Sequence, residues 1–260
     1  MKKELFVCRL VILWMCFSSS LWVNAQVIDD FSDGDLSLVP AWVGDTGQFV
    51  VSGGFLQLNS TGSDSSFVAT SCNFISDTME WRVKVKMSFS PSTSNYARYY
   101  LFADDSNLEG PQHGYFLQFG ESGSADAIVL YKQDGWSLTP LCRGADSAIA
   151  NSFFVNIKML RYPGSLWKMY IDYSAGENFV MEGSVVDAQF NSFSFVGFKT
   201  VYTSSNANKF FLDDVYVGRF LNDTIPPYLN SAKIDSDSTV RIVWSELVDS
   251  TSSFSISNYF

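Results

Sequence analysis

A chain of 260 residues that is 47% hydrophobic and 16% aromatic can bury a sizeable core, and its size suits a single all-β domain. Twenty-seven acidic residues against 17 basic ones give a net charge of −10, which repels nucleic acid phosphates and anionic lipid and excludes both as partners. The one histidine, His113, and the absence of any C-x-x-C pair exclude a zinc site of the usual kind.

The chain opens with a basic start (Lys2, Lys3, Arg9) and an apolar run over residues 10–17. Ser18, Ser19 and Ser20 then lead to Val23-Asn24-Ala25, with small or modest residues where a signal peptidase reads. The pattern predicts a secretory signal peptide over residues 1–25 and Gln26 as the mature N-terminus, so the protein is expected outside the cell or on its outer surface. The run is far shorter than the ~20 residues of a membrane span, and no second one follows. Trp14 and Met15 are too bulky for Cys16 to be a lipidation site. Without residues 1–25 the count is 17 less three basic residues and 27 less one acidic, a net charge of −12. Of four cysteines, Cys72 and Cys142 remain. They admit two readings: a disulfide, which an oxidising exterior permits, or two buried thiols acting as small hydrophobes.

Strand signals follow one another, and helix signals are nearly absent. Gln48-Phe49-Val50-Val51 and Phe55-Leu56-Gln57-Leu58-Asn59 flank Ser52-Gly53-Gly54, a hairpin with a glycine turn. Trp81, Val83, Val85, Met87 and Phe89 alternate with Arg82, Lys84, Lys86 and Ser88, which predicts a strand with one buried and one wet face. Strands are expected at residues 99–103, 115–119, 128–132, 153–160, 167–173, 193–199 and 210–217. So many short strands with turns between them predict an all-β fold, a two-sheet antiparallel jelly-roll sandwich spanning residues 26–221. After it, residues 222–227 (Asn-Asp-Thr-Ile-Pro-Pro) read as a proline-stiffened linker. Residues 228–260 hold two further strand signals and are too few to close a sandwich of ~100 residues, so they read as the start of an Ig-like domain.

Several separated motifs agree in order with one group of proteins. Asp29-Asp30-Phe31-Ser32-Asp33-Gly34-Asp35, Trp42-Val43-Gly44-Asp45-Thr46, residues 91–101, 114–121 and 126–133 resemble the N-terminal domain of large secreted surface proteins of Bacteroidota. The resemblance implies a concanavalin A-like (laminin G-like) sandwich. The tail from Asp223 looks like the opening of a bacterial Ig-like module, with Val243-Trp244-Ser245-Glu246-Leu247-Val248-Asp249 where that module carries F-S-E-P-V; here Leu247 replaces the proline.

The residues bear on three chemistries. Catalysis finds no support: there is no Glu-x-Asp-x-(x)-Glu strand motif, no G-x-S-x-G elbow, and His113 stands alone in a turn-like segment. A structural calcium has candidate ligands in Asp30, Asp33 and Asp35 near the start, with Asp29 beside them, and in Asp214 next to Asp213 in the last strand. First and last strands of jelly rolls often run side by side, which would bring these carboxylates together; the bland alternative is that they cap turns. A sugar-binding surface has candidates in Tyr96, Arg98 and Tyr100 on one face of a strand, Asp104 beside them, and Trp136 in the turn Gln133-Asp134-Gly135-Trp136-Ser137. The expectation is therefore a non-catalytic binding or adhesion module for surface or extracellular polysaccharide. A structural spacer, or an accessory domain of a larger secreted hydrolase, is the alternative.

Overall fold

The computed structural model describes residues 27–73, 78–220, 227–236 and 239–245. The predicted signal peptide, all of the linker but Pro227, and residues 246–260 lie outside the described residues. The chain divides into two compact units, Met1–Phe220 and Leu221–Phe260.

The first unit is built from fifteen strands: β1 (Val27–Asp29), β2 (Trp42–Gly44), β3 (Phe49–Ser52), β4 (Phe55–Leu58), β5 (Asp64–Ser71), β6 (Met79–Met87), β7 (Tyr96–Ala103), β8 (Gln112–Phe119), β9 (Ile128–Gly135), β10 (Ser137–Arg143), β11 (Phe153–Tyr162), β12 (Leu166–Asp172), β13 (Val180–Val186), β14 (Phe195–Tyr202) and β15 (Phe210–Arg219). All pairings are antiparallel. One sheet has eight strands, in the order β13-β12-β11-β6-β15-β4-β3 with β1 also on β15; the other has seven, in the order β10-β9-β8-β7-β14-β5-β2. This is the predicted two-sheet sandwich.

The alternation that foretold β6 holds: Trp81, Val83, Val85 and Met87 are buried between the sheets, and Arg82, Lys84 and Lys86 are part-exposed. Aromatic rings fill the gap. Trp81 stacks on Trp167 of the same sheet at 5.5 Å and meets Phe102 of the opposite sheet at the same distance. Its indole N–H donates to the Leu101 carbonyl across the sandwich at 3.0 Å, so one side chain both fills space and fixes the sheets against each other. The β3–β4 turn places Gly53 and Gly54 at φ 61° and 79°, the left-handed pair that a two-residue hairpin requires.

Edge strands β10 and β13 come together at one side of the sandwich. A Cβ on Gly183 would lie 2.4 Å from the Cys142 sulfur, so this approach needs glycine. The possible disulfide is corrected here: Cys72 and Cys142 do not pair with each other. Cys72 follows β5 and Cys142 lies in β10, five strand spacings away across the seven-stranded sheet, or about 24 Å at the usual ~4.8 Å per strand. A bridge needs Cα atoms within ~7 Å.

In the second unit, β16 (Leu229–Ser236) and β17 (Thr239–Trp244) form an antiparallel pair. No helix among the described residues is long and apolar enough to cross a membrane.

Candidate functional site

The outer face of the seven-stranded sheet departs from the usual polar exterior. Besides the main core, a second apolar cluster forms there from Ala69, Tyr100, Ala103, Leu108 and Phe116, with Phe67, Tyr131 and Phe195 packed against it. It draws on β5, β7, β8, β9 and β14, together with Leu108 from the β7–β8 connection. Phe116 and Tyr131 stack almost parallel, 5.3 Å between ring centroids and 9° between planes. Tyr100 leans on Phe116 at 5.1 Å.

Arg98 lies over this platform. Its guanidinium carbon sits 4.5 Å from the Phe116 ring centroid and 5.3 Å from that of Tyr96, cation–π contacts that hold the group flat. Its Nε donates to Gln118 at 3.0 Å, and the guanidinium also bears on the Tyr100 hydroxyl through its charge and a side-chain hydrogen bond. The Tyr100 hydroxyl donates to Gln133 at 3.1 Å, and Gln133 in turn donates to the Gly135 carbonyl. These bonds satisfy the buried polar atoms beneath the surface and fix the side chains above it.

Two cavities open on this face and share Arg98. One, of about 410 Å³, is lined by Thr93, Tyr96, Arg98, Gln118, Glu121 and Tyr131 among others. The other, of about 90 Å³, is lined in part by Arg98, Tyr100, Glu109, Gln133, Trp136 and Lys199. Trp136, at the tip of the β9–β10 hairpin, is 73% exposed. Glu121 in the larger cavity is engaged by Arg143, whose Nη1 lies 2.8 Å away.

Of the residues singled out in the sequence, Tyr96, Arg98, Tyr100 and Trp136 therefore meet on one face, although both Tyr99 and Tyr100 are buried: Tyr99 in the main core and Tyr100 beneath the outer cluster. Asp104 lies among different neighbours. Its carboxylate accepts the His113 backbone N–H at 2.8 Å and faces His113 Nδ1 at 2.8 Å. His113 packs on Phe190 in the β13–β14 connection, and its Nε2 is 3.4 Å from Asp134. Burial pushes the Asp104 carboxyl up, but the His113 bonds outweigh it and hold it below its ordinary value. Sequence reasoning passed over Phe116, Tyr131, Gln133, Glu109 and Lys199. The usable signal was the unbroken apolar run Tyr115-Phe116-Leu117, which means a strand apolar on both faces.

The carboxylates proposed for calcium are placed differently. β1 does pair with β15, Asp29 opposite Val215, so the first and last strands run side by side. Asp30, Asp33 and Asp35 instead accept backbone N–H groups of Ser32, Asp35 and Ser37 within their own loop, and Asp214 pairs with Lys84 at 2.6 Å. Among the described residues no three His, Cys, Asp or Glu side chains are grouped to hold a metal ion. Among the described residues these carboxylates are not gathered into a calcium cage.

No family model matches the chain, and no curated protein matches it. Solved structures do. The carbohydrate recognition domain of Emp47p superposes with a TM-score of 0.55 at 14% identity, covering 75% of this chain and 94% of that one. The exoplasmic/lumenal domain of VIP36, in a form bound to Ca²⁺ and Man2, gives 0.53 at 8% identity over 78% of this chain and 90% of that one. A xylan β-1,4-xylosidase from Bacillus halodurans gives 0.51 at 15% identity over 73% of this chain but only 38% of the enzyme. At such identities the likeness shows a shared sandwich of the lectin-like kind.

Proposed function

We propose that the first unit is a non-catalytic carbohydrate-recognition module, exported to the cell surface or beyond, whose ligand lies across the outer face of the seven-stranded sheet. The observation that carries this reading is the fixed aromatic platform of Phe116 and Tyr131, capped by Arg98, flanked by two cavities and by the exposed indole of Trp136. Sugars present apolar ring faces and a rim of hydroxyls, and the part-exposed ring of Tyr131 and the exposed indole of Trp136 offer stacking area beside a few fixed polar groups. The carbohydrate recognition domains among the structural matches support the same reading. The signal-peptide pattern of residues 1–25 and the resemblance to Bacteroidota surface proteins support export and attachment to further domains. On that reading residues 222–227 are a linker, residues 228–260 begin an Ig-like module, and the sugar-binding unit has the adjoining domains of its own chain as partners. The xylosidase match keeps one variant of this function in view, an accessory sugar-binding domain within a larger hydrolase.

The test is a glycan array probed with the full chain and with Trp136→Ala. Binding to a defined glycan class by the first, weakened about tenfold or more in the second, is the expected result. An array silent for the intact chain would sink the proposal and favour a structural spacer.

A further inference from the structure

We propose that the ligand of this face is an acidic saccharide, and that Arg98 and Lys199 together receive the carboxylate of a uronate residue in the smaller cavity. The proposal rests on the reading of this face as a carbohydrate site and names the chemical class of the sugar.

Lys199 of β14 stands directly opposite Arg98 of β7 in the strand register. Like charges placed opposite one another on a sheet repel, and opposite charges are the stabilising arrangement. Among the described residues neither side chain makes an ion pair. Arg98 lies against the Phe116 and Tyr96 rings, whereas the Lys199 ammonium faces neither a ring nor an ion-pair partner among the described residues. Lys199 is held part-buried with its Nζ 3.4 Å from the Leu108 carbonyl; burial lowers its pKa, the Glu109 charge opposes that shift, and the Arg98 charge adds to it. Both side chains line the cavity of about 90 Å³. That volume admits a few water-sized groups, enough for a carboxylate and too little for a whole sugar ring.

The remaining lining groups complete the recognition. The arginine plane presents a fork matched to the two oxygens of a carboxylate, and the lysine adds a point charge. The Glu109 carboxylate also lines the cavity, where it accepts a hydrogen bond from Ser65, so the lining carries two positive charges and one negative. One incoming carboxylate brings the cavity to neutrality. Trp136, beside the same cavity, offers its exposed face to the ring that carries the acid.

The experiment compares four immobilised ligands on the full chain by calorimetry or biolayer interferometry: an oligouronate, the same oligomer with its carboxyls reduced to alcohols, a neutral xylan or mannan fragment, and a sulfated neutral fragment. The oligouronate should bind best, at least about tenfold tighter than its reduced form, and should weaken with added salt. Lys199→Gln should lose about tenfold for the acid and little for the neutral ligand, with an unchanged melting temperature as the fold control. Glu109→Gln should bind the acid more tightly, a gain that no misfolded variant would show. Equal binding of the acid and its reduced form, or preference for the neutral or the sulfated fragment, overturns the acidic-sugar proposal and leaves the carbohydrate site standing. No binding to any of the four, alongside a silent glycan array, removes both.

Discussion

Phe116 and Tyr131 stack 5.3 Å apart and 9° from parallel on the outer face of the seven-stranded sheet, where a sandwich ordinarily presents polar side chains. Tyr131 is part-exposed and Phe116 is fully buried under its neighbours, so the Tyr131 ring reaches the surface while Phe116 anchors it from beneath. Tyr131→Ala should weaken glycan binding about tenfold and cost roughly 1 kcal/mol of stability, the aromatic pair plus some apolar area. Titration calorimetry and a urea melt on the same preparation would read both effects, and a stability loss without a binding loss would assign the stack to packing alone.

Trp136 gives the complementary case. With 73% of its surface exposed at a hairpin tip it contributes little to the core. Trp136→Ala should leave the unfolding free energy within about 0.5 kcal/mol while reducing sugar affinity about tenfold. A large drop in melting temperature would show the indole to be buried in solution.

Much of this architecture could be read from the chain because most internal strands carry a clear apolar pattern; β5, internal between β14 and β2, went unrecognised because its Asp-Ser-Ser-Phe-Val-Ala-Thr-Ser run is small and polar for most of its length. β6 alternates a large apolar residue with a basic one from Trp81 to Met87, and the structure keeps that register. β10 and β13 went unrecognised for a physical reason: they are sheet edges, mostly exposed, so selection for alternating burial is weak in them. β10 also contains Pro140, where the pairing with β9 shifts register. The candidate site was half legible. Arg98 and Trp136 are unusual choices for an apolar strand and a hairpin tip, whereas Lys199 looks like any wet-face lysine until β14 is known to lie beside β7. Asp104 misled because proximity in sequence to Tyr100 hid a β-bulge, between Tyr100 and Phe102, that changes which way the strand end faces.

The indole of Trp81 ties the two sheets through its bond to the Leu101 carbonyl. Trp81→Phe keeps much of the aromatic bulk but leaves that carbonyl without its partner and opens space beside Trp167 and Phe102. A loss of about 2–3 kcal/mol in chemical denaturation is expected, with the m-value unchanged. A loss below about 0.5 kcal/mol would mean that the bond is not a determinant of the packing.

Metal removal is the next discriminating condition. The Asp30, Asp33 and Asp35 side chains serve backbone N–H groups of their own loop, and Asp214 serves Lys84. Melting temperature and glycan binding should therefore be the same in EDTA and in millimolar calcium. A calcium-dependent rise in melting temperature, removed by Asp33→Asn or Asp214→Asn, would restore the predicted cation site.

The pH dependence of stability has a defined sign. Burial raises the Asp213 carboxyl to about 6; the Asp214 N–H bond and Lys84 oppose the shift, and the charges of Asp214 and Asp30 add to it. Asp29 is raised too, chiefly by burial. For Asp213 the folded value lies above the unfolded 3.8, so the fold binds its proton more tightly than the open chain does. Its contribution is full below 3.8 and is lost as pH rises through about 6. Carboxyls such as Asp104 and Asp187, held below their ordinary values, act in the opposite sense and only in more acid solution. Between about pH 7.5 and about pH 5 the protein should therefore gain roughly 1 kcal/mol, a figure discounted for the part-exposed position of Asp213. Asp213→Asn should flatten most of that dependence and stabilise the protein at neutral pH. A variant that melts with the same pH profile as the unsubstituted chain would place the titrating group elsewhere.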